Sequence, residues 1–276
     1  RQVLFDDRDA REGRPKVTAT ADAIARIGGP TRVECHPIQV DARTLSEVAP
    51  GVDLILDGTD NLATRYLLND FALVHRIPWI YAGVVGGSGL VLPVLPHEGP
   101  CLRCIFPDPA PPGSLETCDS AGVILPAVSG VAALQASLAL RLLAAPSPAE
   151  AELPIRLTQL DLWRGEFTTI RVARDPDCPA CGRGEHPFLE QGEVNEPVVL
   201  CGRNAVQLPP SPARPDLERL AARLRSSDRQ VETSPLMLRF RVDDLSLTVF
   251  PDGRAIVEGT EEPSRALAAY DRFLGS

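Results

Sequence analysis

The sequence predicts an α/β protein with a mostly parallel sheet, a structural zinc site and a small C-terminal α+β domain. Short apolar strands alternate with helical segments over the first two thirds of the chain. Two Cys-x-x-Cys pairs fall in that region. After Cys181 the amino-acid composition changes, and Gly, Arg and Pro become frequent. Such alternation is typical of a parallel sheet covered by helices, so we expect a Rossmann-like architecture.

The first elements are predicted from apolar runs and their spacing. Val33 to Val40 favours a strand, and Thr44 to Val48 can form one or two helical turns. Residues 52–57, Val-Asp-Leu-Ile-Leu-Asp, are typical of a short buried parallel strand. Asn61 to His75 carries apolar residues at helical spacing and is followed by a proline, which ends the helix. A strand from Trp79 to Val84 comes next.

The middle of the chain adds a turn, a helix and a hairpin. Gly83 to Gly89 has the composition of a phosphate-binding glycine loop. Residues 90–95 after it indicate a strand, whereas such a loop must open a helix, so we predict a turn between strands. Residues 128–143, rich in Ala, Leu and Val, predict a buried helix. Residues 155–162 and 166–172 predict a hairpin.

A linker is predicted at 183–195. It separates a first domain, 1–182, from a small α+β domain, 196–276. The predicted C-terminal elements are a strand at 198–201, a helix near 216–224, strands at 236–242 and 245–250, a turn at 251–253, a strand at 255–258 and a helix at 263–273.

Composition excludes two classes of protein. The chain has 276 residues with a formal net charge of −9, and an acidic surface disfavours nucleic acid, whose phosphates require a basic face. We find no apolar run approaching the roughly 18 residues of a membrane span, which argues against a membrane protein. No signal segment opens the chain, so we expect a cytoplasmic protein. Because the chain begins with Arg1 and its one methionine is Met237, we expect further sequence upstream.

Four of the seven cysteines form two Cys-x-x-Cys pairs, Cys101 with Cys104 and Cys178 with Cys181. A tetrahedral zinc ion takes four thiolates, and each such turn places two sulfurs on one side of the metal. Redox dithiols and disulfides are the alternatives, but an acidic chain without a signal segment disfavours disulfides. Four protein ligands leave no open position, so we predict structural zinc.

Three further features are candidates for chemistry. Cys118 lies in a loop among small neighbours and is either a nucleophile or inert. Lys16 is the one lysine among 28 cationic residues. Its compact point charge suits a polyphosphate ligand, and the alternative is that a lysine stands at this position by chance. Residues 57–61, Asp-Gly-Thr-Asp-Asn, follow the most apolar strand, where a carboxylate can hold magnesium on a nucleotide. Helix capping by Asp60 is the alternative there.

Six short motifs stand in order between residue 1 and about residue 182. Together they resemble the ThiF/MoeB/HesA family, the bacterial relatives of ubiquitin-activating enzymes. The motifs are Arg1-Gln2-Val3-Leu4-Phe5, Gly13-Arg14-Pro15-Lys16, Asp57-Gly58-Thr59-Asp60-Asn61, Cys101-Leu102-Arg103-Cys104, Thr117-Cys118 followed by Ala121-Gly122-Val123, and Cys178-Pro179-Ala180-Cys181.

The resemblance implies an adenylyltransferase that uses ATP to activate the C-terminal glycine of a ubiquitin-like sulfur carrier of the ThiS or MoaD kind. By position, Arg1 and Lys16 would contact the phosphates, and Asp60 would bind Mg²⁺ with Asn61 beside it. Cys118 would be the active-loop cysteine that links to the carrier in some members. The resemblance also implies that the protein forms a homodimer and works with a cysteine desulfurase or rhodanese as sulfur donor. The implied setting is thiamine, molybdopterin or related biosynthesis.

Two family features are not visible in this sequence. Members carry a glycine-rich turn and an acidic ribose-binding residue upstream of these motifs, and neither is visible before Arg1. The alternative function is therefore a catalytically incomplete, zinc-stabilised scaffold that docks a ubiquitin-like protein. A nicotinamide-dependent dehydrogenase on the same fold class is disfavoured, because no catalytic His or Lys constellation accompanies the four cysteines.

Overall fold

A computed structural model describes residues 3–110, 120–151, 153–190, 196–200, 204–211, 214–227, 229–234 and 236–274. In chain order the helices are α1 (Asp7–Arg11), α2 (Lys16–Ile27), α3 (Ala42–Val48), α4 (Leu62–His75), α5 (Leu102–Ile105), α6 (Leu125–Ala144), α7 (Pro187–Glu190), α8 (Leu217–Arg225) and α9 (Pro263–Leu274). The strands are β1 (Ile55–Leu56), β2 (Trp79–Val85), β3 (Ser88–Val94), β4 (Arg156–Asp161), β5 (Glu166–Arg171), β6 (Val198–Leu200), β7 (Ala205–Leu208), β8 (Val231–Ser234), β9 (Met237–Val242), β10 (Leu245–Val249) and β11 (Ala255–Glu258).

The chain forms two compact units. One comprises residues 38–193, and the other comprises residues 2–37 together with 194–276. This division differs from the predicted boundaries, because α1 and α2 fall in the same unit as the C-terminal residues. The assignment of 1–182, 183–195 and 196–276 as domain, linker and domain stays a prediction.

The first unit contains a mixed sheet with the strand order β1-β2-β3-β4-β5. β1 runs parallel to β2, with Ile55 beside Trp79, whereas β2–β3, β3–β4 and β4–β5 are antiparallel pairs. The expectation of a mostly parallel sheet is therefore wrong for the described strands. The antiparallel pairing follows from the connections between the strands. β2 and β3, like β4 and β5, are joined by short turns, and a short turn can only join antiparallel neighbours.

Two predicted strands differ from the structure. Val33 to Val40 forms no strand, and most of its residues are exposed. Its β-forming composition lacks a sheet neighbour, and strand preference reflects packing more than intrinsic backbone bias. The strand predicted over 52–57 shortens to β1, because only Ile55 and Leu56 pair with β2.

The core of this unit lies on both faces of β2. Trp79 and Tyr81 belong to a cluster that includes Tyr66 and Phe71 of α4. Ile80 and its alternate neighbours belong to a second cluster, formed with α6. A strand buried on both faces carries a continuous apolar run, which explains why β2 was predictable.

α6 is the covering helix of the second face. It packs against β2, β3 and β4, and Gln135 donates hydrogen bonds to the backbone oxygens of Asp57 and Ile80 at 3.0 and 2.8 Å. Its 20 residues are long and apolar enough, by length and composition alone, to cross a membrane. The expectation that no segment reaches that length is therefore corrected. The same composition serves a helix packed on a sheet.

The second unit contains an antiparallel sheet with the strand order β6-β7-β11-β10-β9-β8. α8 packs against β8 and β9, and α9 packs against β7. Phe240 of β9 meets Phe273 of α9 edge to face at 5.4 Å. The predicted α+β character is confirmed for the described residues, although β7 and β8 were not predicted.

Candidate functional site

The segment Asp57–Asn61 follows β1 at the carboxyl edge of the sheet. The Asp57 side chain is fully buried, and its Oδ1 accepts hydrogen bonds from the backbone N and Oγ1 of Thr59 at 2.8 and 2.7 Å. Asn61 caps α4, since its Oδ1 accepts from the Thr64 N–H at 2.8 Å. The helix cap is thus Asn61 and not Asp60. Asp60 is exposed at this edge, where ligands bind in open α/β sheets.

Arg65 joins this loop to the neighbouring strand, and the sequence reasoning missed it. Its Nη2 donates to the backbone oxygens of Thr59 and Ala82 at 2.7 and 3.2 Å. Its Nε lies 3.3 Å from Oδ2 of Asp57, and its guanidinium lies over the Tyr81 ring. The sequence offered one indication of this role. An arginine lies four residues after the helix cap, in a stretch whose apolar residues recur at the spacing of a buried helix face.

The two other predicted nucleotide ligands, Lys16 and Arg1, are not part of the Asp57–Asn61 loop. Lys16 is the exposed first residue of α2 and lies 6.0 Å from the Phe5 ring centroid. It falls in the second unit. Arg1 lies outside the described residues.

Cys118 also lies outside the described residues. The residues that follow it, from Ser120 onward, are described. The chain is bonded at this point to the β2–β3 turn: Gly86 N–H donates to Gly122 O, and Ile124 N–H donates to Gly86 O, both at 3.0 Å. Because β2 ends beside this turn, Gly122 lies at the carboxyl edge of the sheet. The sequence four residues after Cys118 is therefore fixed at the edge that carries Asp60.

The four paired cysteines converge, although the pairs are 77 residues apart. The Sγ atoms of Cys101 and Cys178 are 3.6 Å apart, and those of Cys104 and Cys181 are 3.4 Å apart. All four lie within 4.8 Å of one another. A disulfide needs about 2.05 Å, whereas Zn–S bonds of about 2.3 Å in a tetrahedron place sulfurs roughly 3.8 Å apart. The cluster fits a tetrahedral metal ion.

The thiol pKa values reflect the burial and the crowding of these sulfurs. Burial and neighbouring sulfurs raise the pKa of Cys101, and burial raises the pKa of Cys104 to about 11. At Cys178 burial also acts to raise the pKa, but the N–H groups of Cys181 and Ala180 outweigh it and lower the pKa. Four thiolates this close repel one another. A divalent cation removes that repulsion and deprotonates its ligands.

Buried polar groups of α4 hold the loops that carry these cysteines. Asn69 Oδ1 accepts from Leu102 N–H at 2.9 Å, and Asp70 Oδ2 accepts from Phe188 N–H at 3.1 Å. Burial raises the pKa of Asp70, while Phe188 N–H and nearby His186 act to lower it. The helix that Asn61 caps therefore also supports the cysteine cluster.

Fold and site together define a class: an α/β unit with an acidic loop at the carboxyl edge of its sheet and a four-cysteine cluster on loops held by one helix. The ThiF family model matches residues 1–180. The chain belongs to the ThiF family.

Three relatives extend this assignment. The chain is 37% identical over 278 residues to the sulfur carrier protein ThiS adenylyltransferase of Bacillus subtilis, covering 100% of this chain and 81% of the relative. It is 36% identical to a sulfur carrier protein adenylyltransferase of Thermus thermophilus, covering 73% of each chain. It is 34% identical to the SAMP-activating enzyme E1 of Haloferax volcanii, covering 72% of each chain.

Solved structures agree at the level of the fold. The crystal structure of Escherichia coli MccB with ATP matches with a TM-score of 0.54 and 17% identity, covering 66% of this chain and 55% of MccB. MccB with MccA-N7isoASN matches with the same TM-score and 18% identity. The predicted family membership is confirmed by the family model and by the three relatives.

Proposed function

We propose that this protein is an ATP-dependent adenylyltransferase that activates the C-terminal glycine of a ubiquitin-like sulfur carrier of the ThiS or MoaD kind. One observation carries the proposal: the 37% identity with a ThiS adenylyltransferase extends across the whole chain, including the C-terminal unit. The placement of Asp57–Asn61 at the carboxyl edge of the sheet supports it, since a Rossmann-like fold binds nucleotides there.

The proposed reaction is attack on the α-phosphorus of ATP by a carboxylate oxygen of the carrier's terminal glycine. A new P–O bond forms as the bond to the bridging oxygen breaks, and pyrophosphate leaves with that electron pair. The carboxylate is already deprotonated, so positioning and charge neutralisation provide the catalysis and no general base is needed.

Each site residue has a proposed task. Asp60 would hold Mg²⁺, with Asn61 beside it at the start of α4, and bound magnesium would neutralise phosphate charge. Arg1 and Lys16 would contact the phosphates by their positions in the family motifs. The Cys118 thiolate would attack the carbonyl carbon of the carrier's acyl adenylate and form a thioester as AMP leaves. Alternatively, Cys118 would first accept a sulfur atom from a persulfide of the sulfur donor, whose thiolate leaves, and the outer sulfur would then displace AMP to give a persulfide link to the carrier. The anchoring of nearby Gly122 at the sheet edge supports this role.

The cluster of Cys101, Cys104, Cys178 and Cys181 would hold a structural Zn²⁺. Its sulfur spacing fits the ion, and its four ligands leave no position for a substrate. Zinc bound there would fix two distant loops to each other. One of these loops leads toward the segment that contains Cys118.

The biological setting is inferred from the family to which the chain belongs. We propose a cytoplasmic homodimer that acts in thiamine, molybdopterin or related biosynthesis, with a cysteine desulfurase or rhodanese as sulfur donor. The C-terminal residues, 196–276, would help to hold the carrier or this donor.

The test is ATP–pyrophosphate exchange by the full-length protein, with each genomically encoded small protein that ends in Gly-Gly added in turn. We expect exchange that requires one of these carriers, which would also identify the pathway. A folded, zinc-loaded protein that supports no exchange with any carrier would overturn the proposal and favour a docking scaffold.

A further inference from the structure

Arg65 is the residue outside the predicted site that is tied most closely to it. Its Nη2 is shared between two carbonyl oxygens, one from Thr59 in the loop after β1 and one from Ala82 in β2. Those two peptide groups come from neighbouring parallel strands and their extensions. The guanidinium therefore fixes the spacing between the Asp57–Asn61 loop and the strand beside it.

The surroundings of Arg65 hold its guanidinium in one orientation. Its side chain is 13% exposed, and that of its ionic partner Asp57 is fully buried. The Tyr81 ring lies beneath it, 5.4 Å from the guanidinium carbon. A planar fork can face a carboxylate, a carbonyl and an aromatic ring at once, whereas a lysine ammonium has no such plane. The site thus requires arginine.

The contacts of Asp57 connect Arg65 to the rest of the loop. Oδ1 of Asp57 holds both the backbone N–H and the hydroxyl of Thr59, while Oδ2 faces Arg65. Thr59 is consequently held at its N–H by Asp57 and at its oxygen by Arg65. Asp60 is the next residue, so its backbone position depends on these contacts.

We infer that Arg65 is a positioning residue for nucleotide activation: it holds Thr59 so that Asp60 presents its carboxylate in a fixed place. This inference rests on the proposed function, because the place matters for magnesium and ATP. In this role Arg65 acts through its contacts with Thr59 and Asp57 rather than by binding ATP or the carrier itself.

The test compares Arg65→Lys with Arg141→Lys. Arg141 also donates to a backbone oxygen, that of Ala151 at 3.4 Å, but it lies near the C-terminal end of α6 and not on the helix that follows the loop. Lysine at position 65 keeps the charge and loses the shared contact. For Arg65→Lys we expect carrier-dependent exchange to fall about a hundredfold, as misplaced reacting groups do, with a higher Mg²⁺ requirement. Arg141→Lys should match the wild type.

A second measurement does not depend on enzymatic activity. Amide hydrogen exchange of the peptide containing Thr59 and Asp60, without nucleotide, should be at least several-fold faster in Arg65→Lys, while the peptides of α6 and β3 keep wild-type protection. Unchanged protection in this peptide would overturn the inference, as would unchanged Mg²⁺ dependence in an active protein. A wild-type protein without exchange activity would instead refute the proposed function, and the amide measurement would still decide the role of Arg65.

Discussion

Asn69 Oδ1 accepts a hydrogen bond of 2.9 Å from the backbone N–H of Leu102, which joins the middle of α4 to the first Cys-x-x-Cys turn. The Asn69 residue is fully buried. The same helix is capped by Asn61, beside the proposed magnesium ligand, and contacts Phe188 through Asp70. One helix therefore follows the Asp57–Asn61 loop directly and contacts the cysteine-bearing segments along its length.

Replacing Asn69 with leucine should destabilise the fold. The change keeps similar volume but removes the acceptor, so the buried N–H of Leu102 loses its partner. An unsatisfied buried group of this kind costs about 1–3 kcal/mol. Denaturant unfolding of the zinc-loaded protein would measure the change, with Ser137→Ala on the exposed side of α6 as the control. A loss below about 0.5 kcal/mol, which is typical of surface changes, would contradict the assigned contact.

The double variant Cys178→Ser/Cys181→Ser should lose its zinc and melt at a lower temperature, because hydroxyls replace two thiolate ligands. Metal content by elemental analysis and thermal unfolding would report the effect. Cys35→Ser is the matched control, since the Cys35 thiol lies outside the cluster and donates to Val17 O at 3.4 Å. Wild-type zinc content in the double variant would refute the four-thiolate site.

Asp60→Ala should abolish carrier-dependent ATP–pyrophosphate exchange and leave the melting temperature close to that of the wild type. The expected loss is at least about a hundredfold, because the proposed magnesium ligand is removed while the exposed side chain contributes little to packing. Asp53→Ala, an exposed change just before β1, is the control. Retained exchange in Asp60→Ala would remove this residue from the site.

The three tyrosine side chains should ionise at a higher pH than free tyrosine. Burial raises the pKa of Tyr66 to about 12 and also raises the pKa of Tyr81 and of Tyr270, which are the other two tyrosines of the chain. Each neutral phenol is favoured in the folded state. Their contribution to stability is therefore complete below about pH 10, the ordinary tyrosine pKa, and is lost as pH rises through the folded-state values.

Absorbance at 295 nm would check this expectation. The folded protein should show little phenolate at pH 10, whereas the protein unfolded in guanidinium should be about half ionised there. Half-ionisation of the folded protein at pH 10 would contradict the burial of these rings.

Some elements were predictable because their cause is local. Asn61 to His75 shows its apolar spacing directly, and the structure forms α4 over Leu62–His75, although its cap is Asn61 and not the Asp60 considered from the sequence. The cysteine cluster was predictable because its spacing reflects ligand geometry. The failed strand at Val33 to Val40 shows the limit of local preference, because a strand also needs a partner to pair with.

Arg65 could not be assigned from the sequence for a related reason. Its role depends on the Thr59 and Ala82 carbonyls, and the second lies 17 residues away along the chain. Pairing of β1 with β2 brings these groups together. The sheet direction depended similarly on which strands pair, so the mostly parallel sheet was predicted incorrectly.

The most direct test of carrier adenylation is intact-mass analysis of the carrier after incubation with the full-length enzyme, ATP and Mg²⁺. The account predicts one added AMP on the carrier, absent when its terminal glycine is deleted and absent with the Asp60→Ala enzyme. An unmodified carrier, in a mixture where the zinc-loaded enzyme binds that carrier, would contradict adenylation and leave a docking protein.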